Sequence, residues 1–270
     1  MLIDSHTHAF PDPIAASTIK TLSAHSKWVP VHAYADGTVA GLLASMDRAG
    51  VTQSILCSIA TKSSQVTKIT DWSVAVASDR IIPFASIHPD YPTPEAECQR
   101  IAALGLRGIK FHPQYQNCAV DDPRTHRIAR AAAAAGLAMT FHAGHDLAFD
   151  KTDLAAPAAL RRLFDAVPTL NLQCCHLGGW ERWDEALALL VGLPIYLETS
   201  FCLTTCPRPL LDQIIAKHPP THLMWGTDSP WADQAAELAL FNNLGLPAPA
   251  REQALWKNAQ TFTHTSAPHI

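Results

Sequence analysis

The sequence predicts an α/β protein with a (β/α)8 barrel, the TIM-barrel fold, as a single domain over residues 1–270. Short apolar, β-branched runs alternate with segments of helical periodicity, a pattern typical of a parallel sheet with crossover helices. Eight such units fit into about 250 residues, the usual size of this barrel. The chain has no internal repeat and no stretch that resembles an interdomain linker.

The elements follow one another in a regular order. Apolar runs predict strands at 2–6, 52–59, 81–87, 106–112, 137–142, 170–176, 194–199 and 223–228. Helical spacing predicts helices at 41–49, 94–104, 124–135, 154–166, 181–190 and 207–217, and a closing helix at 251–262. A doubly wound open sheet is the alternative. However, the first strand is followed by Ser-His-Thr-His-Ala-Phe-Pro and not by a glycine-rich phosphate turn.

Three long segments are predicted to be irregular, and each follows the carboxyl end of a strand: 10–36, 146–153 and 201–209. Active sites of these barrels are built at that end. Long irregular segments in a compact domain are usually functional. The sequence therefore places the site at the end of the barrel to which these segments belong.

Composition excludes several classes of protein. A hydrophobic fraction of 48% and a charged fraction of 16% are enough for a large core. A net charge of −4 argues against nucleic-acid binding, and no apolar run approaches the roughly 20 residues that span a bilayer. No secretory signal precedes the first strand, and seven scattered cysteines predict a reduced, cytoplasmic compartment. The expected partner is a small-molecule substrate, and a homo-oligomer is left open.

Polar residues that end apolar runs predict a metal site. His6 and His8 form a His-x-His motif at the end of the first strand, and alternation places Asp4 on the same face. Three further strands end in a histidine or a carboxylate: His142, His176 and Asp228. Strands often end in polar residues at the solvent boundary, but five ligand-type residues at the same barrel end favour Zn²⁺ or a similar ion.

The fourth predicted strand carries a lysine and a histidine on one face, Lys110 and His112. A lysine that points into a barrel mouth is costly unless it is paired or modified. One interpretation is a carboxylated lysine that bridges two metals. The others are a lysine that binds a substrate carboxylate or tunes the metal-bound water, and an ordinary solvent-exposed lysine.

These motifs give the chain a family resemblance. It resembles the amidohydrolase superfamily, in the branch of aminocarboxymuconate-semialdehyde decarboxylase and related metal-dependent hydrolases. The matching segments occur in the family's order: Asp-Ser-His-Thr-His (4–8), Gly-Ile-Lys-Phe-His-Pro (108–113), Phe-His-Ala-Gly (141–144), His-Leu-Gly-Gly (176–179), Gly-Thr-Asp-Ser (226–229) and Asn-Ala (258–259). Unlike larger members, the chain begins directly at the first strand, which makes cyclic amides and nucleobases less expected substrates.

The resemblance implies roles for the strand-end residues. His6, His8, His142 and Asp228 would bind the metal, and Asp228 would also move a proton. His176 would be a second-metal ligand or an acid–base group, and Lys110 is the remaining catalytic candidate. The expected cofactor is one or two divalent ions, Zn²⁺ first, with Mn²⁺, Fe²⁺ and Co²⁺ as alternatives.

The predicted function is that of a hydrolase whose metal-bound water cleaves an ester, lactone or amide. Alternatives are a non-oxidative decarboxylase of an unsaturated or aromatic acid at the same centre, and a non-catalytic barrel that binds a metal or a metabolite. The substrate-binding candidates are His112, His145, Trp180 and Trp231. No obvious arginine follows the first strand to bind a substrate carboxylate, a role that Lys110 or Arg182 could fill.

Overall fold

The predicted alternation of strands and helices is confirmed by the computed structural model, which describes residues 1–264. The last six residues of the predicted domain lie outside the described part. The strands, all parallel to their neighbours, are β1 (Ile3–Thr7), β2 (Gln53–Cys57), β3 (Ile81–Phe84), β4 (Gly108–Phe111), β5 (Ala138–Phe141), β6 (Leu172–Cys174), β7 (Tyr196–Glu198) and β8 (Leu223–Met224). Each strand overlaps the run that predicted it. All except β1 are shorter than that run.

Backbone hydrogen bonds close the strands into a barrel. Two ladders, β1–β2–β3 and β4 to β8, form the regular part of the sheet. They meet at Ala85, which donates to Gly108 at 2.9 Å and accepts from Lys110 at 2.8 Å. At the opposite seam, Asp228 N donates to the His6 carbonyl at 2.7 Å, and Ser5 N donates to the Trp225 carbonyl at 3.1 Å. The fold is therefore the predicted TIM barrel, with its first and last strands adjacent.

Helices surround the barrel. They are α1 (Asp12–Ala24), α2 (Val39–Ala49), α3 (Val66–Val76), α4 (Pro94–Ala103), α5 (Pro123–Ala134), α6 (Pro157–Ala166), α7 (Trp183–Leu189), α8 (Arg208–Lys217), α9 (Gln234–Asn242), α10 (Ala248–Glu252) and α11 (Asn258–His264). A π-helical turn, Gln253–Lys257, joins the last two. None of the helices described in residues 1–264 has the length and apolar character that a membrane span requires.

The segment 10–36 was predicted to be irregular, and that prediction is wrong for its first half. Helix α1 begins directly after Pro11, with Pro13 in its first turn. Proline is well tolerated there because the first backbone N–H groups of a helix have no partner within it. The prolines that suggested a loop therefore mark a helix start. Helices α3 and α9 were also not predicted.

Two buried clusters hold the barrel together. The larger lies between strands and helices and includes Met46, Ile101, Ile128, Leu160 and Ile214, all essentially inaccessible to solvent. The smaller joins side chains of β1, β2, β3, β5, β7 and β8 to Ala259 and Phe262 of α11. Helix α11 therefore packs on the strands through a core of its own.

Candidate metal centre

The carboxyl ends of β1 and β8 bring the first three predicted ligands together. His8 Nε2 lies 3.2 Å from His6 Nε2 and 2.9 Å from Asp228 Oδ1, and His6 Nε2 lies 3.4 Å from the same oxygen. His142 Nδ1 and His176 Nε2 lie 3.1 Å apart on the neighbouring strand ends. Asp228 and His176 both have a positive φ, of 64° and 57°. Strained residues of this kind are concentrated at functional sites.

Backbone carbonyl groups fix the protonated nitrogen of three imidazoles. A carbonyl oxygen only accepts hydrogen bonds, so the nitrogen beside it must carry the hydrogen. His8 Nδ1 donates to the Cys57 carbonyl at 2.7 Å. His176 Nδ1 lies 3.1 Å from the Ser200 carbonyl oxygen, and His142 Nε2 lies 3.1 Å from the His145 carbonyl oxygen. The other nitrogen of each ring, which faces the centre, therefore has a free lone pair.

A buried glutamate at the end of β7 fixes the hydrogen of His6 on Nδ1, so that His6 Nε2 faces the centre unprotonated. Glu198 Oε1 lies 3.1 Å from His6 Nδ1 and also accepts from Ser200 Oγ at 2.7 Å and from His176 N at 2.9 Å. Its other oxygen accepts from Ser200 N at 2.6 Å. A Cβ on Gly226 would lie 2.6 Å from Glu198 Oε2, so the next strand leaves room for this carboxylate.

The donor set suits a divalent cation. His6, His8, His142, His176 and Asp228 direct unprotonated atoms toward one another, and ligand atoms of His6, His176 and Asp228 lie within 4.8 Å of each other. Asp228 Oδ1 is buried and accepts no hydrogen bond within residues 1–264. Such atoms repel one another unless a proton or cation lies between them, and imidazole with carboxylate is a typical ligand set for Zn²⁺. All five predicted ligands converge, and their roles stay predictions.

Electrostatics keep these groups in the form that binds metal. Burial lowers the pKa of His6 and His142 well below the ordinary histidine value, so both rings are neutral at neutral pH. Burial would raise the pKa of Asp228, but the adjacent His6 and His8 outweigh it and hold that pKa below its usual range. Neutral imidazole and ionised carboxylate are the states that coordinate metal ions.

We expect Glu198→Gln to weaken metal binding by about 10–100-fold, the usual effect of losing a group that orients a ligand. The side-chain NH₂ of glutamine would replace one carboxylate oxygen. It would then face either the N–H of Ser200, or the Ser200 hydroxyl and the His176 N–H, all of which donate to the carboxylate, so hydrogens would face hydrogens. Metal affinity is measured by competition with a chromophoric chelator. Glu97→Gln is the matched control, because Glu97 is also buried but contacts Thr70 and Arg100. Equal affinities in the two variants would contradict this role.

Lys110 lies at the bottom of the centre and is fully buried. Its Nζ is 2.9 Å from His6 Nε2 and 3.2 Å from Cys175 Sγ. The interpretation of Lys110 as an exposed surface lysine is therefore wrong. Lys110 Nζ contacts the predicted metal-binding nitrogen of His6. Carboxylation of Lys110, or an influence of its charge on the metal-bound water, therefore stays a prediction.

His112 and Asp146 form a second polar group beside the centre. His112 Nε2 is 3.3 Å from Asp146 Oδ2, and its ring stacks on His142 at 4.1 Å and 10°. Parallel rings direct their lone pairs into separate planes, so this group is poorly shaped for a shared metal ion. His112 Nδ1 has no hydrogen-bond partner within the described chain. Substrate contact therefore stays a prediction for His112.

A cavity of about 520 Å³ opens above the centre and includes the four predicted substrate-binding residues His112, His145, Trp180 and Trp231 in its lining. Trp28, from the segment after α1, lies 5.8 Å from His145 and 6.1 Å from Trp180, ring to ring. His145 Nδ1 and Trp180 Nε1 are buried without a hydrogen-bond partner in residues 1–264. Both nitrogens belong to residues that line the cavity.

Two expectations from strand alternation and charge are wrong. The β1–β2 register is irregular between Asp4 and Thr7, and Asp4 accepts from Thr227 Oγ1 at 2.6 Å and Gln234 Nε2 at 2.8 Å instead of facing the cavity. A bulge of this kind re-aims side chains beside active sites.

Arg182 forms ion pairs with two acidic side chains, Asp153 and Glu185, and is not part of the cavity lining.

The comparisons with known proteins agree with this picture. The family profile described as Amidohydrolase matches residues 3–262. Among solved structures, a 5-carboxyvanillate decarboxylase from Sphingomonas paucimobilis is 18% identical, with a TM-score of 0.72 over 98% of this chain and 99% of that one. No curated protein matches the chain in sequence.

Two further solved structures share the fold. A 5-carboxyvanillate decarboxylase from Novosphingobium aromaticivorans, crystallised with bound manganese, is 15% identical with a TM-score of 0.74 over 98% of this chain and 97% of that one. A protein described as a probable 2-pyrone-4,6-dicarboxylic acid hydrolase from Acinetobacter baumannii is 17% identical with a TM-score of 0.65, over 98% and 99%. At these identities the likeness shows the fold alone.

Proposed function

The chain belongs to the amidohydrolase family, and we propose that it is a metal-dependent hydrolase that cleaves an ester, lactone or amide bond of a small organic substrate. The observation that carries the proposal is the convergence of four imidazole nitrogens and one carboxylate oxygen, all unprotonated, at the bottom of a cavity. Zn²⁺ is the proposed ion because this ligand set suits it.

In the proposed reaction, the water and the carbonyl group would be activated at the ion, and the side chains would transfer protons. A divalent ion at this centre would lower the pKa of a bound water and polarise a carbonyl group. Asp228, ionised and without a hydrogen-bond donor on Oδ1, is placed to accept a proton and return it to the leaving group. His176, held through Nδ1 by Ser200, directs its unprotonated Nε2 toward the centre, where it would bind a second ion or act as an alternative proton acceptor.

The cavity supports a substrate of low charge. Its described lining includes Trp72, Trp180, Trp231, Phe10 and Phe201 but no arginine. At about 520 Å³ it is within the range of about 300–1,000 Å³ that is usual for small-molecule sites. A substrate with two carboxylates would bury charge without a guanidinium partner, so a neutral or singly charged molecule fits better.

Non-oxidative decarboxylation is the second candidate, because the same aromatic walls suit a flat ring. Two of the solved relatives are named as decarboxylases of an aromatic acid. In that reaction Asp228 or His176 would deliver a proton to the ring carbon that loses the carboxylate. No water molecule would enter the product.

The two candidates differ in where solvent oxygen goes. We expect the Zn²⁺-loaded protein, supplied with a panel of esters, lactones, amides and aromatic acids in ¹⁸O-labelled water, to give a carboxylate product with one ¹⁸O atom. Removing the metal with a chelator should abolish the reaction, and adding Zn²⁺ should restore it. Release of CO₂ with hydrogen in place of the carboxylate would establish the decarboxylase instead. Full activity after metal removal would contradict both candidates.

A further inference from the structure

The cavity continues from the metal centre to the space between α1 and α3. Three residues of α1 one turn apart belong to its lining, Ile14, Thr18 and Leu22. This face of α1 is turned toward the cavity and leaves Ile14 49% exposed. An apolar helix face that is not packed into the core is available to a bound molecule.

Helix α3 provides the facing wall. Gln65, Lys68, Ile69 and Trp72 recur at helical spacing and all belong to the same lining. Ile69 and Trp72 are half-buried, whereas Lys68 is exposed. The His cluster at the other end of the cavity is buried. Lys68 therefore lies at the solvent-exposed part of the lining, away from the buried centre, and the half-buried Ile69 and Trp72 lie on the same face of α3.

Lys68 is the charged group of this exposed part. Within residues 1–264 it makes no ion pair and no hydrogen bond, although other surface lysines, such as Lys27 and Lys151, are paired with carboxylates. Apart from Lys68 and the buried Lys110, the described lining has no lysine or arginine. A single unpaired ammonium beside an apolar wall is complementary to one negative charge on an otherwise apolar molecule.

We propose that the cavity selects a monoanionic substrate with an extended apolar body. The reacting carbonyl group lies at the metal centre, the apolar body lies between α1 and α3, and the anionic group at the far end binds Lys68. This proposal rests on the proposed function for the position of the carbonyl group. The binding of the apolar body and of the anion does not depend on which reaction follows.

Hydroxamates of graded length test the proposal without turnover, because the hydroxamate group binds divalent ions. We expect octanohydroxamate to bind the Zn²⁺-loaded protein at least about tenfold more tightly than acetohydroxamate, since its methylenes leave water. Suberic acid monohydroxamate, with a carboxylate at the far end, should bind more tightly than octanohydroxamate. Isothermal titration calorimetry measures all three.

Two variants separate the contributions. Lys68→Ala should reduce the affinity for suberic acid monohydroxamate about three- to tenfold and leave octanohydroxamate unchanged, as expected for one partly exposed charge pair. Thr18→Trp, which fills the space between the helices, should weaken both long ligands but not acetohydroxamate. Lys20→Ala is the control, because Lys20 lies on α1 outside the cavity lining.

The apolar anion 1-anilinonaphthalene-8-sulfonate gives a readout that needs no metal. Its fluorescence should rise on binding the metal-free protein and fall in both Lys68→Ala and Thr18→Trp. Binding of acetohydroxamate with no gain on lengthening would overturn the proposal and leave the metal centre intact. Failure of every hydroxamate to bind, together with unchanged fluorescence in the two variants, would overturn both proposals.

Discussion

Asp228→Asn is expected to reduce turnover by at least about 10²–10⁴-fold, even when metal is restored in excess, because an amide cannot accept the proton that a carboxylate takes. A second effect is weaker metal binding, since an amide oxygen is a poorer donor than a carboxylate. Titrating activity against added Zn²⁺ separates the two. The loss in affinity disappears at saturation, and the loss in turnover remains.

His176→Asn is the matched control for Asp228. His176 follows β6 and Asp228 follows β8 on the same barrel rim, and both have a positive φ, which asparagine tolerates better than most residues. A modest loss in His176→Asn with metal retained would identify Asp228 as the main base. Near wild-type turnover of fully metal-loaded Asp228→Asn would show that Asp228 does not transfer the proton.

The His6→Ala, His8→Ala double variant is expected to lose the metal ion and all metal-dependent activity while it keeps the barrel. Two of the five converging donor atoms are removed. The core clusters that hold the strands and helices are untouched. Catalytic metal sites in large domains seldom carry the stability of the fold, unlike the structural sites of small zinc modules.

Metal content per chain, from elemental analysis, and the circular dichroism melting curve measure this outcome. Some destabilisation is expected, because the Cys57 carbonyl loses the hydrogen bond from His8 Nδ1, at a cost of about 1 kcal/mol. Stoichiometric metal in the double variant would contradict the ligand assignment. Loss of cooperative unfolding would contradict the view that the core alone holds the barrel.

The strands could be predicted because their apolar runs alternate regularly with segments of helical periodicity along the chain. Helix α1 escaped prediction because its apolar residues Ile14 and Leu22 face the cavity, and its prolines resemble those of a loop. Helix α3 is rich in valine and threonine, which have low helix propensity. Packing against the barrel overrides that propensity, and packing is not visible in a local pattern.

The metal centre was predictable to the extent that each candidate ends its own strand. The same signal exists at the seventh strand, where Glu198 ends an apolar run, and applying it there would have identified this carboxylate. The orientation of Asp4 was not predictable, because a register irregularity breaks the alternation of β1. Asp146 comes from a loop, and no local pattern connects it with His112.

The seam between the first and last strands has a consequence for the order of events during protein synthesis. Asp4 and Thr227, which hydrogen-bond across that seam beside the metal centre, are 223 residues apart. At about 5–20 residues per second, His6 and His8 are synthesised roughly 10–45 s before Asp228. During that time the nascent chain offers a His-x-His pair but no complete site. The complete set of proposed ligands therefore exists only after synthesis of the eighth strand, and we expect high-affinity metal binding only once the barrel has closed.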